Sequence, residues 1–276
     1  MGKGICGLVF FLLPAFGLLA QAIHTRVGAL GLHTNVYQKD FADAFSFTGN
    51  QALLASAQQF VAGVYTEKKY LLEELGFAAS AFSFPGLGGG FGIEIQYSGY
   101  SGYNESALGI FYGKRLGKWA DIGIQFNYLF LNAAGYGSAF SINGALGMIL
   151  HLSDHLQFGL SMYNPGGSRW SGVSDEKLAA SFKIGCGYEI SNEFYLELDL
   201  IKEEDQPADI EAAIHFQFAN QFFGNLGIEA NDFSPFGQAG WGWKKMRLYI
   251  SVSHHPQLGF TPGLSLQFGN YCPKKL

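Results

Sequence analysis

Hydrophobic and polar residues alternate along most of the chain beyond about residue 60. In the segment DIGIQFNYLF, every second residue from Ile122 to Phe130 is apolar, whereas Asp121 and Gln125 lie at intervening positions. Successive side chains of a β-strand point to opposite faces, so this period of two predicts strands with one apolar and one polar face. The same pattern recurs in FGIEIQYS, ASFKIGCGYEI, NEFYLELDLI and DIEAAIHFQF.

About fourteen such segments follow one another along the chain. Short turns, such as 116–118 and 244–245, alternate with longer loops at 164–177 and 231–238. This alternation is typical of outer-membrane barrels, which have short periplasmic turns and longer external loops. The pattern therefore predicts an all-β fold, a transmembrane antiparallel β-barrel of about fourteen strands with an N-terminal plug-like segment. The predicted strands lie near residues 60–66, 70–84, 89–99, 104–116, 119–133, 138–152, 155–164, 177–190, 193–203, 207–218, 222–231, 235–243, 246–254 and 259–269.

Composition bears on the alternative, which is a secreted soluble β-sandwich or barrel with its apolar faces inside. The chain has 38 Gly, 16% aromatic residues and only 14% charged residues. Ordinary soluble domains carry about 25% charged residues. An Arg or Lys facing lipid at mid-depth would cost about 2–4 kcal/mol, and Lys183 and Arg247 both fall on the polar faces of their strands. Composition therefore favours the membrane barrel.

The first residues, MGKGICGLVFFLLPAFGLLAQA, have the features of a secretion signal. Lys3 precedes an apolar stretch, and Ala20-Gln21-Ala22 fits the small-x-small cleavage rule. The apolar stretch, of about 12 residues, is short for a membrane helix. We therefore predict a signal peptide at 1–22, an N-terminal plug or irregular segment at 23–59 and an outer-membrane β-barrel at 60–276, located in the bacterial outer membrane.

Charge and motifs argue against several classes of function. The net charge of -5 argues against nucleic-acid binding, which requires a basic face. No P-loop or G-x-S-x-G motif occurs, and the glycine-rich stretch at 86–92 has no following helix to cradle phosphate. Cys186 and Cys272 remain after signal removal; secretion would allow a disulfide, but two unpaired small apolar residues are the simpler interpretation. We expect that the protein is not an enzyme and that it binds neither a metal nor a cofactor.

The polar faces of three consecutive predicted strands carry a concentration of ionisable residues. Same-face residues on adjacent antiparallel strands lie about 5 Å apart when opposite, so such a cluster could bind a cation or serve in acid–base chemistry. The simpler interpretation is a hydrogen-bonded network that lines the lumen, with the basic residues as counter-charges. The predicted lumen network comprises Glu197, Asp199, Glu211, His215, Glu229, Lys183 and Arg247.

Aromatic residues are concentrated in the predicted external loops. Large apolar side chains there suit either a protein interface or the access site of an apolar ligand, and the sequence does not separate the two. The residues assigned to this role are Trp170, Phe233, Phe236 and Trp241.

Two stretches of the chain carry a family resemblance. FSFTGNQALLA, at residues 45–55, resembles the N-terminal N-x-A-x-L-A signature of the PorV/PorQ-like outer-membrane proteins of Bacteroidota. Residues 70–129, which include YSGYSGYNE and a YGKRLG hairpin, are similar to that family in the order of their hairpins. Gln51 stands where many relatives have Pro, and the chain ends in GNYCPKKL instead of an aromatic residue.

The resemblance implies membership of the FadL-like superfamily, with a fourteen-stranded barrel and an N-terminal plug. It implies a non-enzymatic accessory component of an outer-membrane protein complex such as type IX secretion. The implied partners are outer-membrane lipid and a larger outer-membrane barrel or a secreted cargo protein. The alternative is a FadL-like transporter of hydrophobic small molecules, which requires a hydrophobic ligand and an apolar-lined pocket beneath the external loops. A third function, an outer-membrane hydrolase, requires a Ser or acid dyad at the external rim, and none stands out.

Overall fold

The computed structural model describes residues 35–36, 41–171, 176–218 and 221–269, which contain a closed barrel of fourteen antiparallel strands. Each strand pairs with its neighbours in sequence, and β1 pairs with β14 to close the ring. The predicted all-β, fourteen-stranded fold is therefore confirmed. The strands are β1 Val61–Lys68, β2 Gly76–Gly86, β3 Gly89–Tyr100, β4 Tyr103–Leu116, β5 Ala120–Ala133, β6 Gly137–His151, β7 Leu156–Tyr163, β8 Ser181–Ser191, β9 Phe194–Glu203, β10 Asp209–Phe218, β11 Phe222–Glu229, β12 Ser234–Trp243, β13 Met246–His255 and β14 Gly259–Gly269.

The two ends of the barrel differ in the connections that they carry. The end that holds the start of β1 and the last residue of β14 also holds the connections β2–β3, β4–β5 and β12–β13, and we call it the turn end. The opposite end, called the loop end, holds the connections β1–β2, β7–β8 and β11–β12. The longest of these three loop-end connections joins β7 to β8, where the sequence predicted a longer loop at 164–177.

The structure differs from the predicted strands in two places. The segment predicted from residue 70 first forms two 3-10 turns, Lys69–Leu71 and Glu73–Leu75, before β2 begins. The predicted loop at 231–238 is mostly strand, because β12 already begins at Ser234. Pro235 is compatible with this strand because its register position pairs with β11 but lies outside the ladder with β13, where its missing N–H is not needed.

The apolar faces of the strands point outward. Ile124 on β5 is 40% exposed, Leu198 on β9 is 53% exposed and Ile250 on β13 is 63% exposed. Their polar neighbours on the other face, such as Gln125 and Asp199, are buried in the lumen. A soluble barrel would have the reverse arrangement, whereas an outward apolar surface is typical of transmembrane barrels.

The described N-terminal residues lie inside the turn-end half of the lumen. A short helix, α1 (Ser46–Gly49), is followed by the 3-10 turn Gln51–Ser56, which packs against β3, β4, β5 and β6. At the start of this region, Gln267 on β14 accepts a hydrogen bond from the N–H of Ala44 at 3.2 Å and donates one to Asp43 at 3.0 Å. We call residues 35–36 and 41–57 the plug.

An apolar cluster joins the plug to one side of the barrel wall. Phe47 packs edge-on against Phe111 of β4, with ring centroids 4.8 Å apart, and Phe45 contacts Tyr65 of β1. These side chains are almost fully buried. The main apolar core of the described residues is therefore enclosed by the barrel and does not lie on its outer surface. Its members are Ala44, Phe45, Phe47, Leu54, Tyr65, Phe77, Ala79, Ala81 and Phe111.

Glycines in the wall allow the plug backbone to approach the strands closely. A Cβ on Gly123 of β5 would lie 2.3 Å from the carbonyl carbon of Gln51, and a Cβ on Gly159 of β7 would lie 2.4 Å from the carbonyl oxygen of Asn35. No real Cβ occupies such positions, so only glycine fits between strand and plug. The glycines that meet plug atoms in this way are Gly63, Gly90, Gly92, Gly113, Gly123, Gly147, Gly159, Gly185 and Gly187.

Several predictions fall on parts of the chain beyond this description. The signal peptide at 1–22 and Cys272 lie outside the described residues, and so do parts of the segment predicted at 23–59. Cys186 forms no disulfide with any described residue. No helix within the described ranges is both long and apolar enough to cross a membrane.

Candidate ligand cavity in the barrel lumen

The predicted acidic cluster lies in the lumen, beside the plug. His215 Nε2 lies 3.1 Å from Glu197 Oε2, and both side chains are buried. Asp199 accepts a hydrogen bond from the backbone N–H of Asn35 at 3.1 Å. Tyr195, on the same strand face, donates its hydroxyl to the carbonyl oxygen of Val36 at 2.9 Å. The cluster therefore holds the start of the plug against β9.

The remaining predicted network residues are spread along the height of the barrel. Glu211 lies directly opposite Asp199 and Glu229 in the strand register, and Glu229 lies at the loop end. Lys183 on β8 is within electrostatic reach of Asp199. Arg247 is instead at the turn end, where its guanidinium lies 4.1 Å from the centroid of the Phe223 ring.

Arg247 therefore lies at the opposite end of the barrel from Glu229. The sequence assigned Arg247 correctly to the inward face of β13. The alternation within a strand does not, however, specify how far along the barrel axis a side chain lies from those of other strands. Arg247 lines a smaller cavity that it shares with Asp43 of the plug and His215.

A chain of amide hydrogen bonds runs from the plug along the inner wall of the barrel. Gln51 donates to Gln125 at 2.5 Å, Gln125 donates to Asn127 at 2.6 Å, and Asn127 donates to Asn143 at 2.8 Å. Asn143 in turn donates to the hydroxyl of Tyr163 at 2.8 Å. This chain ties the plug to β5, β6 and β7, and satisfies polar groups that would otherwise be costly to bury.

Beyond this chain, the loop-end half of the lumen contains an open cavity. The cavity lies against the inward faces of β3, β4 and β5 and is bounded on the other side by the β7–β8 connection. Its lining residues are Glu94, Gln96, Ser98, Glu105, Ser106, Ala107, Gly109, Gln125, Asn127, Leu129, Tyr163, Trp170, Leu178 and Ala179.

One side of the cavity is apolar and owes its shape to the β7–β8 connection. Trp170 and Leu178 are buried together with Ala139 of β6, and Leu129 and Leu131 of β5 pack against them. The backbone of the connection bonds to the wall, since the N–H and carbonyl of Ser171 pair with those of Phe140 at 2.8 and 3.1 Å. The loop is thus folded into the lumen as part of the cavity wall.

The four aromatic residues predicted for the external loops have different positions. Trp170 lines the cavity, and Phe233 is 74% exposed in the β11–β12 turn at the loop end. Phe236 is not in a loop: it lies on β12 and is buried in the lumen against Ala213. Trp241 is also on β12, but it faces outward near the turn end, opposite Phe222 and Leu248. The predicted loop at 231–238 misplaced Phe236, and Trp241 is at the opposite end of the barrel.

Of the residues that shape the cavity, the sequence singled out Trp170 alone. Glu94 and Gln125 were placed on polar strand faces, but nothing in a single strand indicates which side chains from distant strands complete the pocket. The plug residue Asn35 was not singled out, and Asn50 and Gln51 entered only through the family resemblance, since contacts such as that of Asn35 with Asp199 span 164 positions of the chain. Within the described ranges, no group of three or more His, Cys, Asp or Glu side chains is placed to hold a metal ion.

Comparison of the sequence with protein families and with curated proteins gives no match. The fold, in contrast, is similar to solved structures. The monoaromatic hydrocarbon channel CymD has a TM-score of 0.60 at 9% identity over 83% of this chain and 93% of that chain. The Ralstonia pickettii toluene transporter TbuX has a TM-score of 0.60 at 9% identity, covering 83% and 94% of the two chains.

A Pseudomonas aeruginosa FadL homologue has a TM-score of 0.55 at 9% identity, covering 84% of this chain and 95% of that chain. At this level of identity the similarity concerns the fold. The chain has the fold of the FadL-like outer-membrane barrels.

Proposed function

We propose that this protein is a non-enzymatic outer-membrane barrel that binds a small, largely apolar ligand in the loop-end cavity and passes it across the outer membrane. The observation that carries the proposal is the cavity itself. It is a concave site in the lumen whose lining combines large apolar side chains with a few polar groups, as is typical of small-molecule sites. The names of the structural neighbours, a monoaromatic hydrocarbon channel and a toluene transporter, support the same class of ligand.

The arrangement of the cavity suits a ligand that enters from the loop end. Trp170, Leu178 and Leu129 offer an apolar surface, while Gln125 and Asn127 place amide groups nearer the plug, on the same face of β5 as Leu129. The plug lies beneath the cavity, so a bound ligand would rest above it. Onward passage would require the plug or its hydrogen-bond chain to move.

Filling the cavity tests this function. The change Ala107→Phe adds an aromatic ring to a lining residue of β4, and we expect it to weaken binding of 2-phenylethanol about tenfold, because loss of about 1.4 kcal/mol of contact corresponds to that factor. Binding is measured by calorimetry on protein in lipid nanodiscs. Uptake is measured in cells that produce this protein and lack general porins.

The matched control is Ala78→Phe, which adds the same ring to the exposed outer face of β2. It should leave both binding and uptake unchanged. Equal binding by wild type and Ala107→Phe would contradict the proposal, since the cavity would then not be the binding site.

The accessory role in an outer-membrane complex such as type IX secretion stays a prediction of the family resemblance, and the comparisons lend it no support. Its test is co-purification from native outer membranes. Stoichiometric recovery of a larger barrel or of a secreted cargo protein would favour it over transport.

A further inference from the structure

Glu94 is the buried ionisable residue of the cavity. It lies on the inward face of β3 and is 4% exposed. Its partners in the strand register are Ala81 on β2 and Gly109 on β4. Neither of these directly paired neighbours has a polar side chain that could donate to the carboxylate.

One oxygen of this carboxylate has no partner. Gln96, two residues further along the same face, hydrogen-bonds to the carboxylate, but Glu94 Oε1 is buried without a hydrogen bond to any described residue. On its turn-end side lies the apolar part of the plug, since Phe47 and Leu54 occupy the space over Gly92. The Glu94 carboxylate therefore has apolar groups on that side, and the residue lines the cavity on the other.

A second carboxylate, that of Glu105, lies near the mouth of the cavity. It pairs in register with Ser98, four positions along β3 from Glu94, which places the two acids roughly 13 Å apart along the wall at about 3.3 Å per residue. Glu105 accepts a hydrogen bond from Tyr103 at 2.6 Å and has Lys69 within electrostatic reach. The two acids mark a path from the mouth to the floor.

The cavity lining has no basic side chain to balance these acids. Among the described residues that line it, two are glutamates and none is Lys, Arg or His. A buried carboxylate with an unpaired oxygen is unfavourable in itself, but it becomes favourable when a ligand supplies an opposite charge and hydrogen-bond donors. A ligand with a carboxylate would add a third negative group.

We propose that the cavity selects amphiphilic amines, with a protonated amine meeting the Glu94 carboxylate and a compact apolar or aromatic body against Trp170, Leu178 and Leu129. This inference rests on the proposed function and specifies the ligand class of the same cavity. An ammonium group can donate to this carboxylate at the floor, while the apolar body covers the surface that the β7–β8 connection supplies. Aromatic bodies suit Trp170 best because ring pairs gain stabilisation beyond simple burial.

Three probes of nearly equal size separate the contribution of the head group from that of the body. They are 2-phenylethylammonium, 2-phenylethanol and 3-phenylpropanoate, and their binding is measured by calorimetry on the full chain in lipid nanodiscs of zwitterionic lipid. We expect 2-phenylethylammonium to bind at least about tenfold more tightly than 3-phenylpropanoate, because a charge-assisted hydrogen bond is worth roughly that factor or more. This ranking needs only the wild-type protein.

The variant Glu94→Gln keeps the shape of the side chain and removes its charge. We expect it to lose about tenfold in affinity for 2-phenylethylammonium and to keep its affinity for 2-phenylethanol, which also reports that the cavity is folded. The matched control is Glu193→Gln, an exposed acid in the β8–β9 turn at the turn end, and it should bind all three probes as wild type does.

The outcomes separate this inference from the proposed function. If 3-phenylpropanoate binds as tightly as 2-phenylethylammonium while 2-phenylethanol also binds, the amine preference is overturned and the transport function stands. If Glu94→Gln binds 2-phenylethanol and retains full affinity for the ammonium, the assignment to Glu94 is overturned. If none of the three probes binds the wild-type protein, the proposed function fails and the inference with it.

Discussion

Replacement of Gly123 by valine is expected to displace the plug from the barrel wall and to lower the free energy of unfolding by about 3 kcal/mol. A Cβ at this position of β5 would lie 2.3 Å from the carbonyl carbon of Gln51 and 2.4 Å from the backbone nitrogen of Ala52. Both contacts are to backbone atoms, so rotation of a side chain cannot relieve the overlap. The plug must move away from the wall.

Displacement of Gln51 would also break the first link of the amide chain, its hydrogen bond to Gln125. The expected results are a lower midpoint of thermal unfolding in detergent and a larger conductance in planar lipid bilayers. An unchanged midpoint together with an unchanged conductance would show that the plug does not lie against β5.

Gly144→Val is the matched control. Gly144 lies on β6, and the only atom within 4 Å of its added Cβ, leaving out its chain neighbours, is the carbonyl oxygen of Gln125 at 3.4 Å. It faces outward, so valine there adds apolar surface to the outer face of the barrel. We expect wild-type stability and conductance, which would assign the effect of Gly123→Val to the plug and not to the loss of a strand glycine.

The second large effect is expected on the outer surface. Leu198→Arg should lower the free energy of unfolding from a bilayer by about 2–4 kcal/mol, the cost of a basic side chain at the midplane. Leu198 is 53% exposed, and it lies in the middle of β9, between Ala212 and Cys186 of the adjacent strands. The measurement is reversible denaturation of the barrel in lipid vesicles, monitored by tryptophan fluorescence.

The same substitution near the end of a strand provides the control. Leu116 is the last residue of β4, at the turn end, and is 50% exposed. A basic residue near the interface costs about 0–1 kcal/mol, so Leu116→Arg should be close to wild type. Equal losses at both positions would mean that the outer face does not meet a hydrocarbon core.

The face of each strand that points outward could be predicted, because it depends only on the local sequence. The alternation of Leu198 with Asp199 assigns one residue to the outer face and the other to the lumen, whatever the neighbouring strands contain. The number of strands followed from the same period. The strand predicted at 235–243 matches β12 to within one residue, whereas the loop predicted at 231–238, which contains Pro235 and Gly237, overlaps it.

The contents of the lumen depend on register and on contacts between distant segments, which a single strand does not encode. The environment of Glu94 is set by Ala81 and Gly109, and these three residues meet only when β2, β3 and β4 are paired in one register. The position of Trp241 shows a related difficulty. An aromatic residue at a strand end is equally suited to either end of a barrel, because both membrane interfaces favour aromatic side chains.

The contacts of Gln267 have a consequence for the order of folding. The plug precedes β1 in the chain, yet Asp43 and Ala44 bind a side chain on β14, the last described strand. The contacts of the plug are therefore incomplete until the final strand has been added. Contacts across such sequence distances slow folding. An intermediate that lacks β14 would be an open sheet in which the plug could still contact β4, β5 and β9 but would lack its hydrogen bonds to Gln267.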